Sequence, residues 1–265
     1  MSKIIAIVNQ KGGVAKTTTT NALGIGLANK GFKVLLIDLD PQGNLSMSLG
    51  VPFPDKQENT IALLFLNQLQ ERNDKPDIKE FINHNHGVDF FIGNDDLGKV
   101  ERMLSGFRDG EYTLDSILDP LKSEYDYIII DCMPSVGNLT ENAIIVADEV
   151  IVPSEPQYFS TKGIQSLFDE IGKIQKKKNP GLKLAGILPT KVDFRTNIAK
   201  AFIEALSNVF NNDIYIFESL IPISTKLSEC NDGKNIYEYD KNGKGVQAYI
   251  NFVEEYINRS EQNGK

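Results

Sequence analysis

The chain has 265 residues, of which 41% are hydrophobic and 24% are charged, and its formal net charge is −8. This composition is typical of a folded globular protein and argues against intrinsic disorder. The apolar run over residues 4–8 is too short for a signal peptide or a membrane span, so we expect a cytoplasmic protein. The acidic balance excludes a surface that is basic throughout, and any contact with nucleic acid must therefore be a local patch.

Short apolar runs alternate with longer segments of helical periodicity along the whole chain. This alternation is the signature of βαβ units and predicts an α/β fold, with a doubly wound, mostly parallel sheet in a single domain over residues 1–265. The predicted strands are nearly continuous in apolar residues, as in strands buried on both faces. They cover 3–8, 34–37, 88–92, 127–130, 150–152, 184–188 and 214–216. The two histidines, His84 and His86, lie between predicted strands, and we expect them in a loop.

A glycine-rich segment lies between the first predicted strand and a predicted helix over 17–30. Its residues are Lys11, Gly12, Gly13, Val14, Ala15, Lys16, Thr17 and Thr18. Glycines at such a turn let the backbone approach phosphate, and the N-terminus of the following helix adds its positive dipole end. Lys16 supplies a point charge for the β- and γ-phosphates, and Thr17 offers a hydroxyl to Mg²⁺. Ala15 replaces the second glycine of a standard P-loop, a change that adds one methyl group. The segment therefore predicts a nucleotide-binding P-loop.

Two of the predicted strands end in acidic residues. Asp38 and Asp40 follow the strand at 34–37, and Asp131 follows the strand at 127–130. Carboxylates at the C-terminal ends of parallel strands face the ligand crevice of an open α/β sheet. Asp131 has the position of a Walker B acid, and we expect it to hold Mg²⁺ through a water because Mg²⁺ dehydrates reluctantly.

The pattern KGGxxK[ST]T at 11–18 and the pattern DxDPQ[GA]N at 38–44 occur in the order and spacing of the ParA and MinD family. The chain therefore resembles the P-loop NTPases of the deviant Walker A type. This resemblance implies ATP and Mg²⁺ as cofactors and a homodimer that forms around ATP. It also implies that Lys11 crosses the dimer interface and stabilises charge on the transferred phosphoryl group of the partner's nucleotide.

The same resemblance assigns roles to the acidic residues. Asp38 is expected to support the magnesium shell, and Asp40 to position or activate the attacking water. Family members usually have two prolines after the Walker B acid, whereas here Met133 takes the place of the first. That departure affects the expected geometry of the segment after Asp131 and leaves the metal role of Asp131 unchanged.

The resemblance to ParA proteins continues into the second half of the chain. Thr190 and Pro222 fall where the family's adenine-contacting loops lie, and Arg195 and Lys226 fall, in predicted loops, where basic residues contact the DNA backbone. The chain resembles the short form of ParA, because the P-loop begins at residue 11. The resemblance thus implies DNA partition, with non-specific DNA binding, nucleoid association and a ParB-class centromere-binding partner that stimulates hydrolysis.

Three other functions of P-loop proteins are alternatives to DNA partition. A membrane-associated division-site or cargo-positioning ATPase of the MinD type would use a basic amphipathic C-terminal helix, but the amphipathic segment 246–257 carries Glu254 and Glu255. We therefore expect this segment to pack on the core, without a membrane partner. An iron-sulfur carrier would need bridging cysteines, and Cys132 and Cys230 lie in unrelated segments. A metabolic kinase would need an acceptor site, and none is recognisable. Plasmid, chromosome and protein cluster all stay open as cargo.

Overall fold

A seven-stranded sheet in the order β3-β4-β2-β5-β1-β6-β7 forms the centre of the computed structural model. The structure describes residues 2–70, 76–156, 160–195, 201–202, 204–206, 208 and 214–263. Neighbouring strands are parallel except for β3 and β4, so the predicted doubly wound, mostly parallel sheet is confirmed. The strands are β1 (Lys3–Ile7), β2 (Val34–Leu39), β3 (Asn83–Asn85), β4 (Val88–Phe91), β5 (Tyr127–Cys132), β6 (Glu149–Ser154) and β7 (Lys183–Pro189).

Helices cover both faces of this sheet. In β1, Ile5 and Ile7 point to one hydrophobic cluster while Ile4 and Ala6 point to the other, because successive side chains of a strand alternate between faces. The helices are α1 (Lys16–Asn29), α2 (Asn44–Ser48), α3 (Ile61–Leu69), α4 (Leu97–Leu104), α5 (Thr113–Leu118), α6 (Asn138–Val146), α7 (Ser160–Lys177), α8 (Thr225–Glu229), α9 (Ile236–Tyr239) and α10 (Lys244–Asn263). Helices α1, α2, α8, α9 and α10 pack on one face, and α3 to α7 pack on the other.

Both edges of the sheet differ from the prediction. The loop expected around His84 and His86 is wrong for His84, which lies in β3. A turn with positive φ at His86 (52°) and Gly87 (80°) reverses the chain into β4, as in a tight hairpin. Because β3 is short and polar, it has no apolar alternation by which it could be predicted. At the other edge, the predicted strand at 214–216 is only a single bridge between Ile216 and Ile187.

The C-terminal helix α10 is part of the core, as the sequence predicts. Its aromatic residues Tyr249, Phe252 and Tyr256 are buried against the sheet and α1. At Gly26 of α1, a Cβ atom would lie 2.6 Å from a methyl group of Val253, so glycine permits the close approach of the two helices. Among the described residues, no helix is long and apolar enough to cross a membrane.

Candidate nucleotide-binding site

A cavity of about 560 Å³ lies where β1, β2 and β5 end. Loops that leave the carboxyl ends of parallel strands meet at one edge of the sheet, which is where open α/β folds bind ligands. Each of these three strands contributes the segment that follows it. The cavity is lined by Gly12, Gly13, Ala15, Lys16, Thr17, Thr18, Asp40, Pro41, Gln42, Asn44, Met133, Pro134, Lys191 and Ser228.

The glycine-rich loop has the conformation that a phosphate-binding loop requires. Gly13 has a φ of 72°, and a Cβ atom at Gly12 or Gly13 would have nothing within 4 Å, so space for an anion lies beside the backbone. Ala15 also adopts the left-handed conformation, with φ 67° and ψ 32°. The sequence suggests that alanine in place of glycine at this position adds only a methyl group, and this is wrong. The left-handed conformation also costs an L-residue about 1–2 kcal/mol of conformational energy. The strained residue lies directly before Lys16, where α1 begins.

Two buried side chains hold the loop from beneath. Asn9 donates from Nδ2 to the carbonyl of Pro153 at 2.7 Å, and its Oδ1 accepts from the backbone N–H of Lys11 at 2.9 Å. The hydroxyl of Thr190, which is fully buried, donates to the carbonyl of Val14 at 2.9 Å. Thr190 therefore supports the loop, and Val14 can offer phosphate its backbone N–H while its side chain is buried in the core.

Lys16 reaches the cavity as a largely buried ammonium group. Its Nζ donates to the carbonyl of Lys11 at 3.1 Å. Burial lowers the pKa of Lys16, and the nearby carboxylates of Asp131 and Asp40 act in the opposite direction. A desolvated ammonium gains from a strong anionic partner, and a polyphosphate is such a partner.

The predicted metal ligands Thr17, Asp38 and Asp131 lie together. Asp131 accepts from the Thr17 hydroxyl at 2.7 Å, and Asp38 pairs in register with Asp131 on the neighbouring strand. Burial raises the pKa of Asp38 to about 6, and burial together with the adjacent Asp38 raises the pKa of Asp131 to about 8. Two crowded carboxyl groups and a hydroxyl are hard oxygen donors, and a divalent cation would relieve their repulsion. These residues fit Mg²⁺.

Asp38 is fixed by residues that the sequence analysis does not identify. Its Oδ2 accepts from both the backbone N–H and the hydroxyl of Ser46, at 2.8 and 2.7 Å. A Cβ atom at Gly93 would lie 2.4 Å from the carbonyl oxygen of Asp38, so only glycine fits beside it. The sequence pattern also does not predict Lys191 and Ser228, which line the cavity. Ser46 lies in the first turn of α2, two residues after the DxDPQGN segment, and its contact with Asp38 depends on packing.

Asp40 lies on the tight turn that follows β2 and lines the cavity. Its Oδ1 accepts from the backbone N–H of Gln42 at 3.0 Å, which leaves the second carboxylate oxygen for a ligand or a water. Gly43 closes the turn with a φ of 62°, and a Cβ atom there would lie 2.9 Å from the carbonyl oxygen of Gly93. The position of Asp40 is therefore set by backbone geometry.

A second cavity of about 220 Å³ continues from the first and shares Ala15, Thr18, Lys191 and Ser228 with it. Pro222, predicted to contact adenine, lines this cavity together with the apolar side chains of Ile221, Ile223 and Leu227. Apolar walls beside a phosphate site suit a nucleotide base.

The other predicted residues lie on the surface. Lys11 is half-exposed, and its Nζ lies 3.3 Å from Oε2 of Glu155. Arg195 donates to both oxygens of Asp193, at 2.9 and 2.8 Å. Lys226 lies 3.1 Å from Asp240 and belongs to helix α8, so the loop predicted for it is wrong. Ser224 caps this short helix by accepting from the backbone N–H of Leu227, a contact that the sequence does not predict.

The glycine loop, the lysine that follows it and the acids on two adjacent strands define the P-loop class of ATPases. A family model described as an AAA domain matches residues 2–184. The chain is 38% identical over 262 residues to the chromosome partitioning protein ParA of Myxococcus xanthus, across 98% of this chain and 89% of that protein. It is 36% identical over 258 residues to the sporulation initiation inhibitor protein Soj of Bacillus subtilis, across 96% and 98%.

A solved structure shares the fold of this chain. Cobyrinic acid a,c-diamide synthase from Mycobacterium smegmatis, with bound ADP and magnesium, superposes with a TM-score of 0.84 at 32% identity, covering 100% of this chain and 97% of that one. The chain belongs to the ParA/MinD superfamily of deviant Walker A ATPases, and within it to the short ParA type.

Proposed function

We propose that the chain is a DNA partition ATPase that converts ATP to ADP and phosphate with weak intrinsic activity, acting as a single domain over residues 1–265. The observation that carries this proposal is the contact of the P-loop with the Walker B acid, where Thr17 donates to Asp131 beside the buried ammonium of Lys16. The identity to ParA and Soj along nearly the whole chain supports partition as the process.

The cavity residues divide the work of binding ATP. The backbone of residues 12–18 and the ammonium of Lys16 bind the phosphates, and the cavity beside Pro222 receives the adenine. Thr17, Asp38 and Asp131 would hold Mg²⁺. When bound, the metal neutralises charge on the phosphate oxygens.

Hydrolysis needs a positioned water. The carboxylate of Asp40 lines the cavity, and one of its oxygens is already fixed by the N–H of Gln42. Asp40 orients the attacking water with the other oxygen. Because the described residues that line the cavity supply positioning groups and no separate strong base, intrinsic hydrolysis is slow, and a ParB-class partner supplies the stimulation.

Dimerisation couples the nucleotide to DNA. The half-exposed Lys11 leaves its own protomer and contacts the nucleotide of the partner, so the dimer forms only around ATP. Each protomer then adds Arg195 and Lys226 to a shared basic patch that binds the DNA backbone without sequence preference. DNA binding by the dimer ties the protein to the nucleoid in the cytoplasm. Hydrolysis separates the protomers and releases the DNA. The packing of α10 on α1 supports the proposal of a protein that acts without a membrane partner.

DNA retention in a mobility-shift assay tests the surface part of this proposal. With ATP and Mg²⁺, the wild type should retain random-sequence DNA, and the double variant Arg195→Glu/Lys226→Glu should bind about tenfold or more weakly, with a shallower salt dependence. Lys79→Glu/Lys99→Glu is the matched control, because it makes a charge change of the same size at two exposed lysines elsewhere that are also paired with acidic residues. Undiminished retention by the first variant, with ATPase activity and dimer formation intact, would exclude this patch.

A further inference from the structure

Three consecutive side chains at the entrance to the P-loop contact β6 and the chain that follows it. Asn9 donates to the carbonyl of Pro153 at 2.7 Å, and Gln10 donates to Oε2 of Glu170 at 2.6 Å. Lys11 completes the series through its contact with Glu155, with Nζ and Oε2 3.3 Å apart. The P-loop entrance is therefore fastened to its own protomer at three points.

The third contact differs from the other two in kind. Asn9 is buried, and with its contacts to Pro153 and to the N–H of Lys11 it fixes the backbone of the segment. The Lys11–Glu155 ion pair joins two partly exposed side chains, 43% and 26% exposed. An exposed pair of this kind is weak and is screened by salt. Lys11 can leave Glu155 by side-chain rotation alone, without remodelling of the loop.

We propose that Glu155 is a positioning residue for Lys11, which it keeps in its own protomer until a nucleotide-loaded partner competes for the ammonium group. This inference rests on the proposed function, in which Lys11 acts across the dimer. Glu155 thereby sets how readily the chain dimerises. The single carboxylate of Glu155 is a weaker partner for an ammonium than a polyphosphate, which carries several charges, so the exchange is favourable only when the partner holds nucleotide.

The position of Glu155 links this contact to the nucleotide site. Glu155 also lines the second cavity, the same cavity that Pro222 lines. The ion pair thus borders the space proposed for the adenine, and its carboxylate belongs to the site that must fill before dimerisation. An ion pair in this place raises the dimer dissociation constant, and it does so without removing any group that binds phosphate.

Sedimentation velocity in saturating AMPPNP and Mg²⁺ measures the effect on the dimer dissociation constant. Glu155→Gln removes the charge and keeps the shape. Because two exposed pairs break for each dimer, Glu155→Gln should lower the dimer dissociation constant by roughly 2- to 30-fold. Glu155→Asp should restore the wild-type value. Glu170→Gln is the matched control, since it removes one charge from the Gln10 contact and leaves the Lys11 contact intact.

Salt and a double variant separate positioning from a general structural effect. The ratio of wild-type to Glu155→Gln dissociation constants should approach one in high salt, because the ion pair is screened. In a Lys11→Ala background, which is expected to stay monomeric, Glu155→Gln should not restore the dimer. An unchanged dissociation constant in Glu155→Gln, or the same gain in Glu170→Gln, would overturn the proposal.

A measurement on the nucleotide-free monomer makes the inference independent of dimer formation. Brief acetylation with acetic anhydride, read by mass spectrometry, should modify Lys11 faster in Glu155→Gln than in the wild type, with Lys56 as internal reference. Equal rates would refute the ion pair itself. If the wild type fails to dimerise with AMPPNP while the acetylation rates differ, the proposed trans role of Lys11 falls and the contact with Glu155 stands.

Discussion

The nucleotide cavity and the predicted DNA-contacting surface are built in opposite ways. At the nucleotide site, Lys16, Asp38 and Asp131 are buried. The two carboxylates accept hydrogen bonds from backbone N–H or hydroxyl groups, and the ammonium of Lys16 donates to a backbone carbonyl. On the surface, Arg195 and Lys226 are exposed, and each is paired with one nearby carboxylate. Burial makes each group in the cavity costly to remove, whereas exposed pairs exchange partners at little cost.

Removal of the cavity lysine should produce the largest effect. Lys16→Ala should weaken nucleotide binding by about a hundredfold or more, since it deletes a desolvated charge partner of phosphate and leaves buried carboxylates uncompensated. Titration with a fluorescent nucleotide analogue measures the affinity. The exposed Lys56, which stacks on Phe53, gives the control Lys56→Ala, which should bind normally. Wild-type affinity in Lys16→Ala would remove Lys16 from its assigned role.

The buried acids predict a pH dependence of metal-nucleotide binding. The pKa of Asp131 is raised to about 8 and that of Asp38 to about 6, so the metal-free protein carries a proton mainly on Asp131 at neutral pH and gains one on Asp38 only towards pH 6. A divalent cation requires the ionised carboxylates, so binding releases protons and affinity should fall as pH drops from about 8 towards 6. Calorimetry in buffers of different ionisation enthalpy counts the protons released. Asp131→Asn should reduce that count, and a proton count of zero in the wild type would contradict the account.

The left-handed Ala15 predicts a smaller, stabilising effect. Ala15→Gly should raise the free energy of unfolding by about 0.5–1 kcal/mol, because relief of left-handed strain exceeds the entropy that glycine adds to the unfolded chain. Urea denaturation measures the change. Ala22→Gly, inside α1, should destabilise by about 1 kcal/mol or more and serves as the opposite control. Destabilisation by both substitutions would show that Ala15 carries no strain.

Within the nucleotide site, the sequence predicts the acidic residues but not the residues that support them. Asp38, Asp40 and Asp131 could be predicted because acids at the ends of parallel strands converge at one edge of the sheet. The supports of the site could not, since the contacts of Ser46 with Asp38 and of Thr190 with Val14 join residues whose proximity depends on packing.

The local backbone conformation also could not be predicted from the sequence pattern. The left-handed φ of Ala15 follows from the loop conformation and not from its residue type, which rarely adopts it. Strand β3 and helix α8 are short, so neither has enough periodicity to be predicted, and Lys226 was assigned to a loop for that reason. Motifs with a fixed chemical role were predictable, and the elements that support them depend on tertiary contacts.

The central claim is that ATP joins two protomers through Lys11 and that Asp40 resets the dimer by hydrolysis. Size-exclusion chromatography with light scattering, in ATP and Mg²⁺, tests both halves in one measurement. Asp40→Ala should accumulate as a dimer, because it keeps the phosphate and metal contacts and loses the water-positioning carboxylate. Lys11→Ala should stay monomeric. Normal dimerisation of Lys11→Ala with ATP would contradict the account.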